Sequence, residues 1–178
     1  SDGASVLLLA SKKGLKKLGR SKSDCVEIIG SGHAVESLYV DGDPTALATV
    51  RAATSRSMAE GGVKLGDLDV AEVHDCFNIA ELLTYEALGL AKPGQGAAVV
   101  RSGATGIGGS LPVNTGGGLV GFGHPVGATG VKQPLEIFRQ MKGRCGDYQL
   151  ASIPSVGLTS NMGGDDKTVV SLTLRNCT

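Results

Sequence analysis

The sequence predicts an α/β domain. Short apolar runs alternate along the chain with segments whose apolar residues recur at helical spacing, the pattern of βαβ units. Hydrophobic residues make up 41% of the 178 residues and charged residues 19%, enough apolar material for a packed core and too much for a disordered chain. By length this is one domain or part of a larger one. There are 28 glycines, more than double the usual share of about 7%.

Ala4 to Ala10 is almost fully apolar and reads as a strand buried on both faces. Lys12 to Leu18 is a short basic helix closed by Gly19, and Val26 to Ser31 is the next strand. Asp43 and Pro44 form an N-cap and first-residue pair. Leu47, Val50, Thr54 and Met58 then keep helical spacing until Gly61 and Gly62 stop the helix. Leu68 to Val73 is a strand that ends in His74-Asp75-Cys76-Phe77, and Ile79, Leu82, Leu83 and Leu90 follow at helical spacing. From Pro93 to Gly130 regular structure is scarce and glycine dense; a loop that long in a compact domain is usually functional. Val131, Leu135, Phe138 and Met141 share a helix face. Pro134 falls inside that helix and requires it to start near Gly130, because an interior proline costs about 3 kcal/mol. Leu150 to Ser155 and Lys167 to Leu174 are the last two strands.

Several functions are excluded. Lys plus Arg and Asp plus Glu are 17 each, so charge gives no case for nucleic acid or an anionic membrane surface. Aromatic residues are only 3%, with no Trp, so base-stacking platforms are not expected. Cys25, Cys76, Cys145 and Cys177 contain no CxxC pair and make no disulfide framework, which points to a reducing compartment. The longest apolar runs, such as Val6 to Ala10, are too short to cross a bilayer. The first residues have neither a basic stretch nor an initiator Met, so no targeting segment is expected here and the chain is expected to start inside a larger protein. No phosphate loop, dinucleotide fingerprint or GxSxG elbow occurs. His74, Cys76 and His124 lack zinc-site spacing, so no metal is expected. His33, Cys25, Cys145 and Cys177 have no assigned role.

Three places could carry chemistry. His74-Asp75-Cys76-Phe77 lies where a strand ends and a helix begins, the position at which open α/β sheets bind ligands. A histidine and a thiol two residues apart can donate and shuttle protons; equally, the pair could be a solvated strand-end histidine and a buried core cysteine. Gly121-Phe122-Gly123-His124-Pro125-Val126-Gly127-Ala128-Thr129-Gly130 frames one imidazole with residues that bend the backbone sharply or fix it, just before a helix N-terminus that favours an anion. Its plain alternative is a glycine-rich turn carrying an exposed histidine. Asn161-Met162-Gly163-Gly164 offers backbone N–H groups to a developing oxyanion, or is simply a hairpin turn.

Gly123-His124-Pro125 with Gly127-Ala128-Thr129-Gly130 resembles the GHPxGATG motif of thiolases. Ser1-Asp2-Gly3-Ala4 resembles the start of the C-terminal half of that fold, and Asn114, followed by its glycines, matches the asparagine upstream of the motif. The likeness runs in order over essentially the entire chain. Most thiolases have Asn-Glu-Ala-Phe where His74-Asp75-Cys76-Phe77 stands here, and a Cys-x-Gly motif where Asn161-Met162-Gly163 stands. Both departures resemble the sterol carrier protein-2 type of thiolase.

The resemblance implies a five-layered αβαβα fold of two similar halves, with residues 1–178 as the C-terminal half in the order βαβαβαββ. The half that holds the acylated cysteine would be absent, leaving this chain inactive alone. The implied activity is that of a 3-ketoacyl-CoA thiolase, an acetyl-CoA C-acyltransferase of fatty-acid or sterol side-chain oxidation. It uses coenzyme A and acyl-CoA as substrates and no bound cofactor. By resemblance His124 activates the nucleophile and donates to a thioester oxygen, while His74 frames the first oxyanion hole. Cys76 is the acid/base at the substrate α-carbon, where a modest lowering of its pKa would suit proton shuttling. The Gly163 backbone N–H serves the second oxyanion hole. Expected partners are the N-terminal half and further copies in a homodimer or homotetramer. The expected location is the mitochondrial or peroxisomal matrix, the former favoured because Asn176-Cys177-Thr178 is no SKL-type signal. The rival readings are a ketoacyl synthase-type condensing enzyme and a thiolase-like, non-catalytic lipid-binding or scaffold subunit.

Overall fold

The structure, a computed structural model, describes residues 1–39 and 42–178. In chain order its elements are α1 (Lys12–Lys17), β1 (Val26–Val35), α2 (Ala48–Gly61), β2 (Val70–Val73), α3 (Asn78–Leu88), α4 (Gly96–Arg101), α5 (Gly118–Phe122), α6 (Val126–Met141), β3 (Val156–Gly163) and β4 (Thr168–Asn176). The strands form one sheet in the order β1-β4-β3-β2. β4 is antiparallel to β1 and β3, whereas β2 and β3 are parallel. A parallel pair needs a long crossover; here it carries α3 to α6, and the site grows out of it.

Alternation along the strands sends side chains to two faces. Ala71, Val73 and Leu158 pack with Tyr85 and Leu88 of α3, while Met162 and Val169 join Val50 and Ala53 of α2 on the same face. Val70 and Leu174 point the other way, onto Ile137 and Met141 of α6. The result is three layers, with α2 and α3 on one face of the sheet and α6 on the other. Each fully buried Val, Leu or Ile contributes about 1.5–3 kcal/mol. Between β1 and α2 the backbones themselves meet. A Cβ at Gly30 would strike the Ser57 carbonyl, and one at Gly32 the Ala53 carbonyl. The Ser57 hydroxyl lies 2.7 Å from Thr173 Oγ1 and 3.3 Å from the Gly30 carbonyl.

Several segments differ from expectation. Ala4 to Ala10 is not a strand, so the first β of the expected βαβαβαββ order is missing; Val6, Leu8 and Leu9 are exposed. Composition favours a strand there, but a strand also needs a neighbour for its N–H and C=O groups, and none of the four described strands pairs with it. The Asp43 carboxylate closes a local turn by accepting from the N–H and hydroxyl of Thr45 rather than capping a helix. α2 starts later, at Ala48, because Asp166 in the β3–β4 hairpin accepts from the N–H groups of Thr49 and Val50 at 2.9 and 2.8 Å. Pro134 is interior to α6, which begins at Val126. That helix is anchored on both sides of the proline, by Gln133 to the Ser160 carbonyl and by Gln140 to Thr115 and the Tyr148 carbonyl. Leu150 to Ser155 is irregular, and the strand lies just beyond it as β3.

Candidate active site

The sheet's parallel corner builds one wall. β2 ends at Val73, and His74 follows at once. The free edge of β2 is finished by the glycine-dense stretch: Val113 bridges to Ala71, the Asn114 N–H donates to the Ala71 carbonyl, and Asn114 Oδ1 accepts from the Val73 N–H at 2.8 Å. Asn114 adopts a left-handed φ of 50° to do this, a conformation asparagine tolerates better than most residues. His74 is therefore fixed by the strand it leaves. Its Nδ1 lies 2.8 Å from Oδ1 of Asn161, on the neighbouring strand β3.

The opposite wall is a loop. Gly117 and Gly118 take left-handed φ, and α5 follows. The N–H groups of Leu119 and Val120 donate to the Asp75 carboxylate at 2.7 and 3.5 Å. A negative charge at a helix N-terminus is favourable, and this one is buried. Gly118 leaves the space that Asp75 occupies, since a Cβ there would collide with the carboxylate. α5 stops at Gly123, whose φ of 90° turns the chain into His124-Pro125. The Pro125 carbonyl then opens α6 by accepting from the N–H groups of Ala128 and Thr129. The Thr129 hydroxyl donates to that carbonyl at 3.2 Å and lies 2.7 Å from His124 Nδ1. Thr129 Oγ1 thus stands between the Pro125 carbonyl and the His124 ring and fixes the orientation of the imidazole.

The two rings meet edge to face, 4.9 Å between centroids. His74, Cys76, His124 and Gly163 all line one open cavity of about 530 Å³, together with Phe77, Val126, Asn161 and Met162. Residues 74 and 124 are thus brought together; Cys76 lines the same cavity and, half-buried, also packs against the core formed by α2, α3 and the sheet. His33 is exposed on β1 and its carbonyl accepts from Arg56. Cys25, Cys145 and Cys177 do not line the cavity.

Burial lowers the pKa of His74, and the neighbouring His124 adds to the effect, against the Asn161 hydrogen bond and the Asp75 charge. Cys76 departs from expectation. Burial pushes its thiol up, and the charges of Asp165 and Asp75 push the same way, while the Phe77 N–H pulls it down only in part. The group is held as a thiol, a proton donor. Beneath His74, on the same face of β2, the buried carboxyl of Glu72 is pushed up to about 8 by desolvation; Lys132 opposes the shift and Glu136 and Asp75 reinforce it. Glu136 is itself bound by Lys132, Arg139 and the Tyr148 hydroxyl. Lys132 also sits over the Phe122 ring at 3.5 Å, tying the end of α5 to α6.

Residues 30–176 match the family model described as thiolase C-terminal domain-like. The chain belongs to this family. It is 38% identical over 177 residues to "Sterol carrier protein 2" of Oryctolagus cuniculus, covering 97% of this chain and 32% of that protein. It is 35% identical over 167 residues to "Benzoylsuccinyl-CoA thiolase subunit BbsB" of Thauera aromatica, covering 92% of this chain and 42% of that one. The thiolase-like relatives thus include both a sterol carrier and a thiolase subunit, and the chain spans well under half the length of either. Among solved structures, the "Ltp2-ChsH2(DUF35) aldolase" superposes with a TM-score of 0.68 at 22% identity, over 85% of this chain and 39% of that one, a likeness of fold. Among the described residues no helix is long and apolar enough to cross a membrane.

Sequence reasoning placed His74, Cys76, His124 and Gly163 at the cavity but gave Asp75, Thr129 and Asn161 no part in holding the rings. Asp75 carried a signal, an acid inside a strand-end motif. Its partners lie 44 and 45 residues away, which no local pattern reveals.

Proposed function

We propose that this wall belongs to the active site of a 3-ketoacyl-CoA thiolase of the sterol carrier protein-2 type, completed by a second thiolase half that supplies the acylated cysteine. The observation that carries the reading is the convergence of His74, Cys76, His124 and Gly163 on one cavity. In the cleavage direction a cysteine thiolate of the other half attacks the 3-keto carbon, and the C2–C3 bond breaks. The products are an acyl-enzyme and the enolate of acetyl-CoA; CoA thiolate then takes the acyl group. His124, its Nδ1 side held by Thr129, is the base that makes the thiolate. Cys76, held protonated, gives its proton to C2 of the enolate and completes acetyl-CoA. His74 and the Gly163 N–H face the oxygens on which charge develops, and one such donor is worth about 3–4 kcal/mol of barrier. Substrates would be acyl-CoA and CoA, the assembly a homodimer or homotetramer, and the compartment the mitochondrial or peroxisomal matrix.

The test uses the intact protein with a 3-ketoacyl-CoA and CoA. Cys76→Ala abolishes turnover while the nucleophile is still acylated, and also abolishes exchange of acetyl-CoA methyl protons with deuterium. His124→Ala blocks acylation itself. Near-normal turnover of C76A removes the proton-shuttle role, and wild-type acylation in H124A removes the activation role. Decarboxylative condensation without methyl exchange indicates the ketoacyl synthase reading. Lipid binding without any acyl transfer indicates the carrier or scaffold reading suggested by the relative's name.

A further inference from the structure

We propose that Asn161 fixes the tautomer of His74: its amide oxygen accepts the Nδ1 proton, so the neutral ring turns a bare Nε2 to the cavity and enters as a proton acceptor. The inference deepens the thiolase reading and rests on it for the substrate; the tautomer itself does not depend on it. Three observations carry it. Nδ1 lies 2.8 Å from Asn161 Oδ1, and Asn161 projects from the strand parallel and adjacent to the one that delivers His74. His74 is buried and stands edge-on to another imidazole at 4.9 Å, so a positive ring is disfavoured. The one carboxylate next to it in sequence, Asp75, is turned to the N–H groups of α5.

Which nitrogen carries the proton in a neutral imidazole is set by the hydrogen bond the other makes. Without a partner the ring in water prefers the proton on Nε2, the form that donates. Asn161 reverses that preference. Nε2 of neutral His74 then cannot donate to an oxyanion. It first takes the proton of the incoming CoA thiol, leaving CoA thiolate and imidazolium, with Nδ1–H still on the amide. The new Nε2–H then faces the oxyanion. Proton uptake and oxyanion binding become successive acts of one nitrogen, and Asn161 is a positioning residue for both. The lowered pKa of His74 agrees with a ring that starts neutral.

The test is two-bond ¹H–¹⁵N spectroscopy on the intact protein labelled at histidine, with the His74 signals identified by their loss in His74→Asn. In the wild type the expected neutral form carries its proton on Nδ1. Asn161→Leu moves the proton to Nε2. Asn161→Asp, a near-isosteric variant that keeps the acceptor, leaves the proton on Nδ1, raises the titration of His74 by at least one pH unit and moves the acid limb of kcat/KM upward with it. A wild-type ring protonated on Nε2, or a tautomer unchanged in N161L, overturns the proposal. If N161L does not fold, an unshifted titration in N161D overturns it alone. Absence of thiolysis with the Nδ1 tautomer intact counts against the thiolase reading and not against Asn161.

Discussion

His74 and His124 reach the same cavity on different supports. His74 leaves a buried strand whose last N–H is held by Asn114 and whose neighbour supplies Asn161. Sheet register sets its position, and the sheet is buttressed by α3 on one side and α6 on the other. His124 rides a glycine loop that is only half-buried. Its position depends on a few polar contacts, with Asp75 holding α5 before it and Thr129 holding the ring after it. A strand-borne group moves only if the sheet moves, whereas a loop-borne group can be freed by one substitution. Losing His124 need not cost His74.

The largest effect should come from Gly118→Val. The residue has a φ of 58°, and a Cβ would run into the Asp75 carboxylate. Left-handed backbone strain and overpacking together cost about 3 kcal/mol. Urea unfolding should show that loss, with the His124 resonances displaced and those of His74 kept. Asp75→Ala, which only uncaps α5, should cost less, about 1–2 kcal/mol. A G118V midpoint equal to wild type would show that the loop is not held by Asp75.

The strand side is sharpened by Glu72→Gln. Desolvation raises the folded pKa of Glu72 from 4.5 to about 8, so between those values the folded state holds the extra proton. Stability from this group therefore falls as pH rises through that window and levels off above it. The groups facing Glu72 are Lys132 and Glu136 of α6, Asp75 of the β2–α3 loop and the Thr115 N–H. Glutamine cannot ionise, so E72Q should lose the slope. At pH 8 it should exceed wild type by at least about 1.4 kcal/mol, the worth of one pK unit. His74 carries the opposite sign. Its pKa is lowered from 6.5, so the unfolded state takes the proton first and stability falls as pH drops below that value. Parallel E72Q and wild-type curves from pH 5 to 8 would contradict the Glu72 assignment.

The sequence made the strand-borne side easier to see than its supports. Alternation and the abrupt end of an apolar run located β2 and therefore His74. Glycine and proline located the bend at His124. Gly163 reads as part of a turn between two strands, although β3 begins at Val156, just after the expected Leu150 to Ser155. What stayed hidden is long-range. Asn161 lies 87 residues from His74 and Asp166 lies 117 from Thr49, so the tautomer of one ring and the start of α2 are decided by side chains no local window contains. Ala4 to Ala10 errs for a related reason: apolar composition shows what a segment can bury, not which neighbour covers it. The modest fall in the Cys76 pKa that would suit proton shuttling does not occur, because burial and the charges of Asp165 and Asp75 outweigh the backbone N–H groups of Phe77 and Cys76 that favour the thiolate.

The smallest effect isolates the last support of His124. Thr129→Val keeps the shape of the side chain and removes its hydroxyl, so Nδ1 of His124 loses its hydrogen-bond partner while α5 and the Asp75 contact stay in place. One hydrogen bond to a ring that becomes charged as it takes a proton is worth about 1.5–3 kcal/mol. Acylation of the nucleophile in the intact protein should slow by about ten- to a hundredfold, with thermal stability changed far less than in G118V. Thr129→Ser, which restores the hydroxyl, should recover most of the rate. Equal rates for valine and serine would mean that the loop backbone alone orients His124, and that its support differs from that of His74 in rigidity but not in kind.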